Sequence, residues 1–287
     1  MASGFWKKHE NLYYALTNKK VIIGITLFSI IILTAIFGPM MTPYDYEEYV
    51  DMGGLAPSSD YYFGTTIQGR DIFTRTVYGL RTTIFVGLLA GTIATLIGCL
   101  IGFISGFYGG KLLDEFLMML TNVTIVFPTL ALLIIISAFL EVRSMTAVAF
   151  IVSITAWPWT ARAVRSQALS LRNQEYVNLS RISSLSLLRI LKEDIAANMF
   201  SYVFMVYILQ FNGTILSAVG LEFLGLGPTR GVSLGLVMQN AIEWNAIQLG
   251  MWWWGIIPGL LITIMITSLY FINTGLDEVF NPRLREA

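Results

Sequence analysis

Charge, cysteine and histidine are all scarce in this sequence, and the shortage of charge excludes the commonest class of protein. Only 13% of the 287 residues are Asp, Glu, Lys or Arg, whereas 55% are hydrophobic. Soluble domains carry about 25% charged residues. The mean hydropathy is +0.68. A chain this poor in charge cannot cover a water-facing surface, so we expect most of its surface to face lipid or other apolar protein.

The single cysteine and the single histidine exclude most site chemistry. Cys99 has no second cysteine to pair with, so we interpret it as a small packing residue. His9 lies in a charged N-terminal segment, where a solvated side chain is expected. The formal net charge is zero, without the basic stripe that a nucleic-acid partner requires. We therefore predict no catalytic residue, no metal or cofactor site, and no nucleic-acid partner.

Six apolar runs are long enough to cross a bilayer, which takes about 20 helical residues. They are residues 21–37, 82–107, 116–140, 144–160, 199–221 and 249–273. The runs are continuous rather than alternating, which favours helices over a barrel. The first is too long for the apolar core of a signal peptide, and no cleavage site follows it. We predict an all-α integral membrane protein with six transmembrane helices, the first of them retained.

The distribution of basic residues predicts the orientation of these helices, because loops rich in Lys and Arg stay in the cytoplasm. Basic residues gather before the first run, after the fourth and at the C-terminus: Lys7, Lys8, Lys19, Lys20, Arg162, Arg165, Arg172, Arg181, Arg189, Lys192, Arg283 and Arg285. The loop after the first run opens with acidic residues. Both termini are therefore predicted to be cytoplasmic. Arg70, Arg75 and Arg81 precede the second run and oppose this trend.

The same features divide the chain. We expect a cytoplasmic tail (1–20), a first helix with an external loop (21–81), a transmembrane core (82–273) that includes a cytoplasmic loop (161–198), and a second cytoplasmic tail (274–287). In the second run, glycines at four-residue spacing lie on one helix face and predict close helix contacts. They are Gly87, Gly91, Gly98, Gly102 and Gly106.

Four polar side chains inside the apolar runs have two possible uses. Asn122, Thr124, Asn212 and Thr214 can hydrogen-bond between helices, or they can line a polar pathway. The residues alone leave both open.

A cytoplasmic loop over residues 161–198 carries charges of both signs and regularly spaced apolar residues. Tyr176, Val177, Leu179, Ile182, Leu185, Leu188, Leu191 and Ile195 follow this spacing. It predicts two amphipathic helices, with Ser186 as a candidate N-cap of the second. Such helices can lie in the membrane interface, pack on the protein's own helix ends, or present an apolar face to a soluble partner.

This loop resembles the "EAA" segment of ABC-importer permeases. The resemblance implies a coupling helix that docks into a groove on an ATPase subunit. Its residues here are Glu175, Tyr176, Val177, Asn178, Leu179, Ser180, Arg181, Ile182, Ser183 and Ser184. The sequence departs from the family at Leu179-Ser180, which replaces Ala-Ala, at Ser184, which replaces Gly, and at Ala197, which replaces Pro.

Further segments are similar to the C-type subunits of dipeptide and oligopeptide permeases. The strongest is Gly64-Thr65-Thr66-Ile67-Gln68-Gly69-Arg70-Asp71, in which Thr66 departs from the family, as does the preceding Phe63. Others are Gly106-Phe107-Tyr108-Gly109-Gly110, Phe127-Pro128, Leu224-Gly225-Leu226-Gly227, and the C-terminal Asn281-Pro282-Arg283. The resemblance implies the type I ABC-importer permease fold and uptake of peptides by alternating access.

The chain lacks the phosphate-binding loop that ATP hydrolysis needs. The nearest segment ends at Lys111-Leu112, where Ser or Thr would be required to hold Mg²⁺. The resemblance therefore implies that ATP and Mg²⁺ bind two separate ATP-binding subunits. It also implies a second homologous permease, an extracellular peptide-binding lipoprotein or periplasmic binding protein, and a location in the bacterial plasma (inner) membrane.

The alternative is a self-sufficient channel or secondary transporter. It would explain six spans but not the amphipathic cytoplasmic loop, and secondary transporters usually show internal repeats or ionisable residues in their spans. Dipeptides, longer peptides, nickel chelates and glutathione all stay open as substrates. With no charge inside the apolar runs, we expect no anchor for a peptide terminus in this chain.

Overall fold

The computed structural model describes residues 10–183, 189 and 197–280, and this part of the chain is mainly helical, with one long non-helical stretch over residues 41–71. Its one β interaction is an isolated bridge between Thr65 and Asp71. The helices are α1 Glu10–Thr17, α2 Lys19–Phe37, α3 Ile72–Phe107, α4 Leu112–Val126, α5 Thr129–Ala138, α6 Met145–Arg172, α7 Glu175–Ile182, α8 Ala197–Leu221, α9 Leu234–Glu243 and α10 Trp252–Phe280. The predicted all-α class is confirmed.

Five uninterrupted helices are long and apolar enough to cross a membrane. They belong to Lys19–Met40, Ile72–Phe107, Met145–Arg172, Asn198–Leu226 and Trp252–Phe280. The helices α4 and α5 pass the same test only together, as a pair bent by 82°. Counted as one span, this pair brings the total to the predicted six.

The bend between α4 and α5 corrects the prediction of one span over residues 116–140. Pro128 has no backbone N–H, and its ring disfavours the helical conformation of the residue before it. Phe127 accordingly adopts an extended conformation, with φ −74° and ψ 130°. The chain restarts as a helix at Thr129. The sharpness of this break is what the apolar pattern does not reveal.

Three other helices extend well beyond their apolar runs. The helix α10 continues to Phe280, seven residues past the sixth run and into the predicted C-terminal tail. The helix α3 begins at Ile72, with Asp71 as its N-cap, so Arg75 and Arg81 lie within it. The helix α6 passes through Pro158 and ends at Arg172, twelve residues beyond the fourth run. Hydropathy ends a run at the first charge. In α6, however, the buried residues Ala161, Val164 and Ala168 continue at helical spacing between the arginines.

Glycines bring α3 into close contact with two other helices, as predicted. A Cβ added at Gly98 would lie 2.5 Å from Thr160 Cβ, and one at Gly102 would lie 2.7 Å from the carbonyl oxygen of Ala161, both on α6. On the α8 side, a Cβ at Gly87 would lie 2.4 Å from Ile215 Cγ1, whereas one at Gly91 would lie 3.1 Å from Phe211 Cα. A side chain at Gly87, Gly98 or Gly102 would therefore push the helices apart, and Gly91 makes a looser contact.

The helices alternate in direction, so the bundle has two distinct ends. One end carries α7 and is called the α7 end; the other carries residues 41–71 and is called the long-loop end. At the α7 end, Lys20 at the start of α2 pairs with Glu278 at the end of α10. The first and last of these spans therefore begin and finish at the same end as α7.

Candidate docking helix and pathway cavity

The short helix α7 is fixed to the bundle through one buried side chain. It follows α6 after a turn at Asn173 and Gln174, in which the Val177 N–H donates to the Gln174 carbonyl oxygen at 3.1 Å. Val177 is fully buried and packs in one cluster with Val164 and Ala168 of α6 and Met199 of α8. The orientation of α7 on the bundle is thus set by the apolar contacts of Val177.

Two apolar residues of α7 lie on its uncovered side. Leu179 is 64% exposed and Ile182 is 80% exposed. Their spacing of three residues places them next to each other on a helix surface. We call Leu179 and Ile182 the α7 apolar face. Most exposed apolar residues of the bundle lie on membrane-length helices, whereas this pair lies on an eight-residue helix beyond the end of α6.

The other residues of the predicted coupling helix are only partly described. Glu175 and Ser183 are exposed and Ser180 is half-buried. The backbones of Tyr176, Asn178 and Arg181 belong to α7. The side chains of these three residues lie outside the described part of the chain, and so does Ser184. The same holds for the predicted second amphipathic helix over residues 185–195, of which only Arg189 is described, as helical.

An ion pair ties the start of α4 to α6 just before α7. The Arg165 guanidinium donates to the Asp114 carboxylate through Nε at 2.6 Å and Nη2 at 2.7 Å. The same carboxylate accepts from the Ser105 hydroxyl of α3 and from the Gly110 N–H at 2.8 Å. Asp114 is only 2% exposed. Because each oxygen of Asp114 has two donors, three helices are held together at this point.

A second arginine fixes the turn between α3 and α4. Arg172 Nη1 donates to the carbonyl oxygens of Phe107 at 3.1 Å and Gly109 at 3.0 Å. Gly110 has a φ of +77°, a conformation that glycine adopts without steric cost. The α3–α4 turn is therefore attached to the last turn of α6, from which the chain leads directly into α7.

A cavity of about 460 Å³ lies among α4, α5, α6 and α8. Its described lining consists of Thr124, Ile125, Thr129, Thr155, Ala156, Pro158, Trp159, Arg162, Leu209, Gln210, Gly213 and Ser217. The 82° bend of the α4–α5 pair lies on this side of the bundle, since Ile125 and Thr129 flank it. The wall is polar at several points and carries one charge, that of Arg162.

Of the four predicted pathway residues, two are close to this cavity. Thr124 lines it. Asn122 Oδ1 accepts a hydrogen bond of 2.8 Å from Nη2 of Arg162, which also lines it. The structure therefore brings Asn122 and Thr124 together at the cavity wall.

The other two predicted pathway residues hydrogen-bond between helices. Asn212 Nδ2 donates to the Ile266 carbonyl oxygen of α10 at 3.4 Å. Thr214, fully buried, donates to the Gly87 carbonyl oxygen of α3 at 3.0 Å. Neither lies in the described cavity lining.

Sequence reasoning missed several lining residues that share a helix face. Thr155, Trp159 and Arg162 are spaced by four and three residues along α6, and Gln210, Gly213 and Ser217 by three and four along α8. This spacing keeps side chains on one side of a helix. A search of both helices for polar residues at this period would have found Thr155 and Arg162 on α6 and Gln210 and Ser217 on α8. Within the described ranges, no three His, Cys, Asp or Glu residues group as a metal site.

Comparison with known proteins agrees with these features. Residues 98–286 match the family described as "Binding-protein-dependent transport system inner membrane component". Residues 13–57 match the "N-terminal TM domain of oligopeptide transport permease C".

Individual relatives cover almost the whole chain. It is 33% identical over 273 residues to the oligopeptide transport system permease protein OppC of Bacillus subtilis (strain 168), covering 94% of this chain and 88% of that protein. It is 30% identical to the dipeptide transport system permease protein DppC of the same organism, covering 93% of this chain and 83% of the relative. The dipeptide permease DppC of Haemophilus influenzae is 27% identical, with 96% and 95% covered. The chain therefore belongs to the family of binding-protein-dependent transport system inner membrane components, as a permease subunit of the dipeptide and oligopeptide ABC-transporter type.

Proposed function

We propose that this chain forms one half of the pathway of a bacterial ABC importer that takes up dipeptides or oligopeptides by alternating access. Separate ATPase subunits drive it by docking on α7. The observation that carries this proposal is the α7 apolar face. Leu179 and Ile182 are uncovered on a helix that Val177 anchors firmly to the bundle. A helix presented in this way suits insertion into a groove of a soluble partner.

The contacts behind α7 supply a route for movement. A force on α7 acts on α6, and the Arg165–Asp114 ion pair connects α6 to the start of α4. The far end of α4 contributes Thr124 and Ile125 to the cavity. Reorientation of α6 and α4 would therefore change the cavity wall, as alternating access requires.

Partners and orientation follow from the same arrangement. In this proposal the α7 end faces the cytoplasm, where two ATP-binding subunits hold ATP and Mg²⁺. A second, homologous permease covers the open side of the cavity, beside apolar residues that are exposed on α4 and α5, such as Phe116, Met119 and Leu130. A binding protein outside the membrane delivers the peptide at the long-loop end. This chain itself performs no catalysis.

Charged substitutions on α7 test the docking helix. Burying a Leu or Ile side chain contributes about 1.5–3 kcal/mol, and a carboxylate at the same contact must also be desolvated. We expect Leu179→Glu and Ile182→Glu to reduce peptide uptake at least about tenfold, since 1.4 kcal/mol is a factor of ten. Insertion of the chain into the membrane should not change. Uptake and ATP hydrolysis would be measured in proteoliposomes containing the whole complex.

Met40→Glu is the matched control, because Met40 is 79% exposed but lies at the long-loop end. It should leave the ratio of peptide transported to ATP hydrolysed unchanged. Wild-type uptake by both α7 variants would refute the docking assignment. Uptake by the purified chain alone, without ATP and insensitive to orthovanadate, would instead support the channel or secondary-transporter alternative.

A further inference from the structure

The cavity contains a positive charge that the apolar runs of the sequence do not reveal. Arg162 lies beyond the fourth run, so the sequence alone predicts that it belongs to a cytoplasmic loop and that this chain has no anchor for a peptide terminus. The structure places it on α6, two residues after Thr160 and three after Trp159. It lines the cavity together with Trp159 and Thr155. The expectation that the chain has no anchor therefore has to be revised.

No acidic side chain neutralises this arginine in the part of the chain that the structure describes. The ion pairs found there are Lys20–Glu278 and Arg165–Asp114. Arg162 instead uses Nη2 to donate to the amide oxygen of Asn122. A guanidinium has five N–H donors in a fixed fork, so Asn122 occupies one of them and leaves the others available.

Arg162 and Asn122 are both exposed in this chain, and the hydrogen bond between them favours one orientation of the guanidinium. A neutral amide holds the group in place without cancelling its charge. A guanidinium held in this way binds a carboxylate with two parallel hydrogen bonds, which is the geometry that arginine favours. The position thus suits an anionic group that enters the cavity.

The rest of the lining suits a peptide of variable sequence. The other described lining residues are uncharged. The Gln210 side chain is already committed, because it accepts from Thr160 Oγ1 at 2.9 Å and donates to the Ala156 carbonyl oxygen at 3.1 Å. Arg162 and Thr155 are seven residues apart, or about 10 Å along a helix. An extended peptide advances about 3.3 Å per residue, so this distance corresponds to roughly three residues.

We propose that Arg162, held in position by Asn122, binds the C-terminal carboxylate of the peptide as it passes through the cavity. The positive charge repels the N-terminal ammonium group, so the peptide lies with its carboxylate towards the α7 end. This site is additional to any site on the binding protein. The inference rests on the proposed import of peptides and names the part of the substrate that this chain recognises.

The test compares one peptide with a free C-terminal carboxylate and the same peptide as its C-terminal carboxamide. Each is preloaded on the cognate binding protein at equal occupancy, so that discrimination by the binding protein does not contribute. ATP-dependent uptake into proteoliposomes is measured for the wild-type complex and for Arg162→Gln, Arg162→Lys and Asn122→Ala. Arg81→Gln is the control, because Arg81 is an exposed arginine at the long-loop end.

We expect Arg162→Gln to lower uptake of the free-acid peptide about tenfold, because the carboxylate loses its charged hydrogen-bond partner, and to leave uptake of the carboxamide unchanged. Arg162→Lys should retain part of the preference because it keeps the charge but not the fork. Asn122→Ala should weaken the preference less than Arg162→Gln. Arg81→Gln should behave as wild type.

Two results would overturn the inference while leaving the importer proposal intact. One is equal loss of both peptides in Arg162→Gln, which would indicate a structural role. The other is no loss of either peptide. Failure of the wild-type complex to transport any peptide with ATP would instead refute the proposed function, and the inference with it. Co-purification of all subunits with each variant establishes that the complex has assembled.

Discussion

The Asp114–Arg165 pair predicts a large difference between two substitutions that each neutralise one carboxylate. Asp114→Asn keeps the size of the side chain but leaves the Arg165 charge without its counter-ion. Removing one partner of a buried ion pair costs about 3–5 kcal/mol. The Asp114 side chain is 3% exposed and the Arg165 side chain 29% exposed, so partial solvation of the arginine places the expected loss near the lower limit, at about 3 kcal/mol.

The matched control is Glu278→Gln. Glu278 pairs with Lys20, also at the α7 end, but their side chains are 31% and 51% exposed. Exposed ion pairs contribute about 0.2–1 kcal/mol. The two substitutions make the same chemical change, so the contrast between them isolates the effect of burial.

Thermal unfolding in detergent, followed by tryptophan fluorescence, measures this contrast. At an unfolding entropy of about 2.1 cal/mol/K per residue, a chain of 287 residues loses roughly 1.7 °C in midpoint per kcal/mol. We therefore expect Asp114→Asn to lower the midpoint by about 5 °C, and Glu278→Gln by less than about 2 °C. Equal shifts in the two variants would refute the argument that Asp114 joins α3, α4 and α6 through a buried charge.

Two further predictions concern helix contacts. Gly98→Leu should prevent α3 from approaching α6, because even its Cβ would lie 2.5 Å from Thr160 Cβ. The yield of folded protein, measured by size-exclusion chromatography, should therefore fall sharply. An unchanged yield would contradict the close contact. Val177→Ala removes two buried methyl groups, or about 1.6 kcal/mol at 0.8 kcal/mol each, and should loosen α7 on the bundle. Hydrogen exchange of the α7 amides should then accelerate roughly tenfold, whereas Leu179→Ala, at an exposed position, should leave it unchanged.

The apolar pattern predicts the helices well because a bilayer imposes a simple length and composition on each span. The number of spans could be predicted for this reason, and the four-residue spacing of glycines predicted the close contacts of α3. The helix boundaries near charged residues could not be predicted from hydropathy. Hydropathy treats Arg162 as the start of a loop, whereas α6 continues for ten more residues with its apolar side buried.

The candidate site was harder to predict than the fold. Asn122 and Asn212 have the same side chain and both lie in apolar runs. In the structure, Asn122 accepts a hydrogen bond from Arg162 at the cavity, whereas Asn212 donates to the backbone of α10. Which of them reaches the cavity depends on the 82° bend at Pro128 and on the rotation of α8. Pro128 encodes the position of the bend locally, but the angle of the bend and the rotation of α8 are properties of three-dimensional packing.

The proline within α6 divides that helix into two parts of unequal function. Pro158 removes one hydrogen bond of the helix, so the chain is easiest to bend there. From Trp159 to Arg172 the helix has no further proline and spans about 21 Å. Arg162, Arg165 and the connection to α7 all lie on this uninterrupted segment. If an ATPase subunit displaces α7, as proposed above, the movement would reach the Arg162 guanidinium along this one segment: the group proposed to hold the peptide and the helix proposed to receive the ATPase would be displaced together.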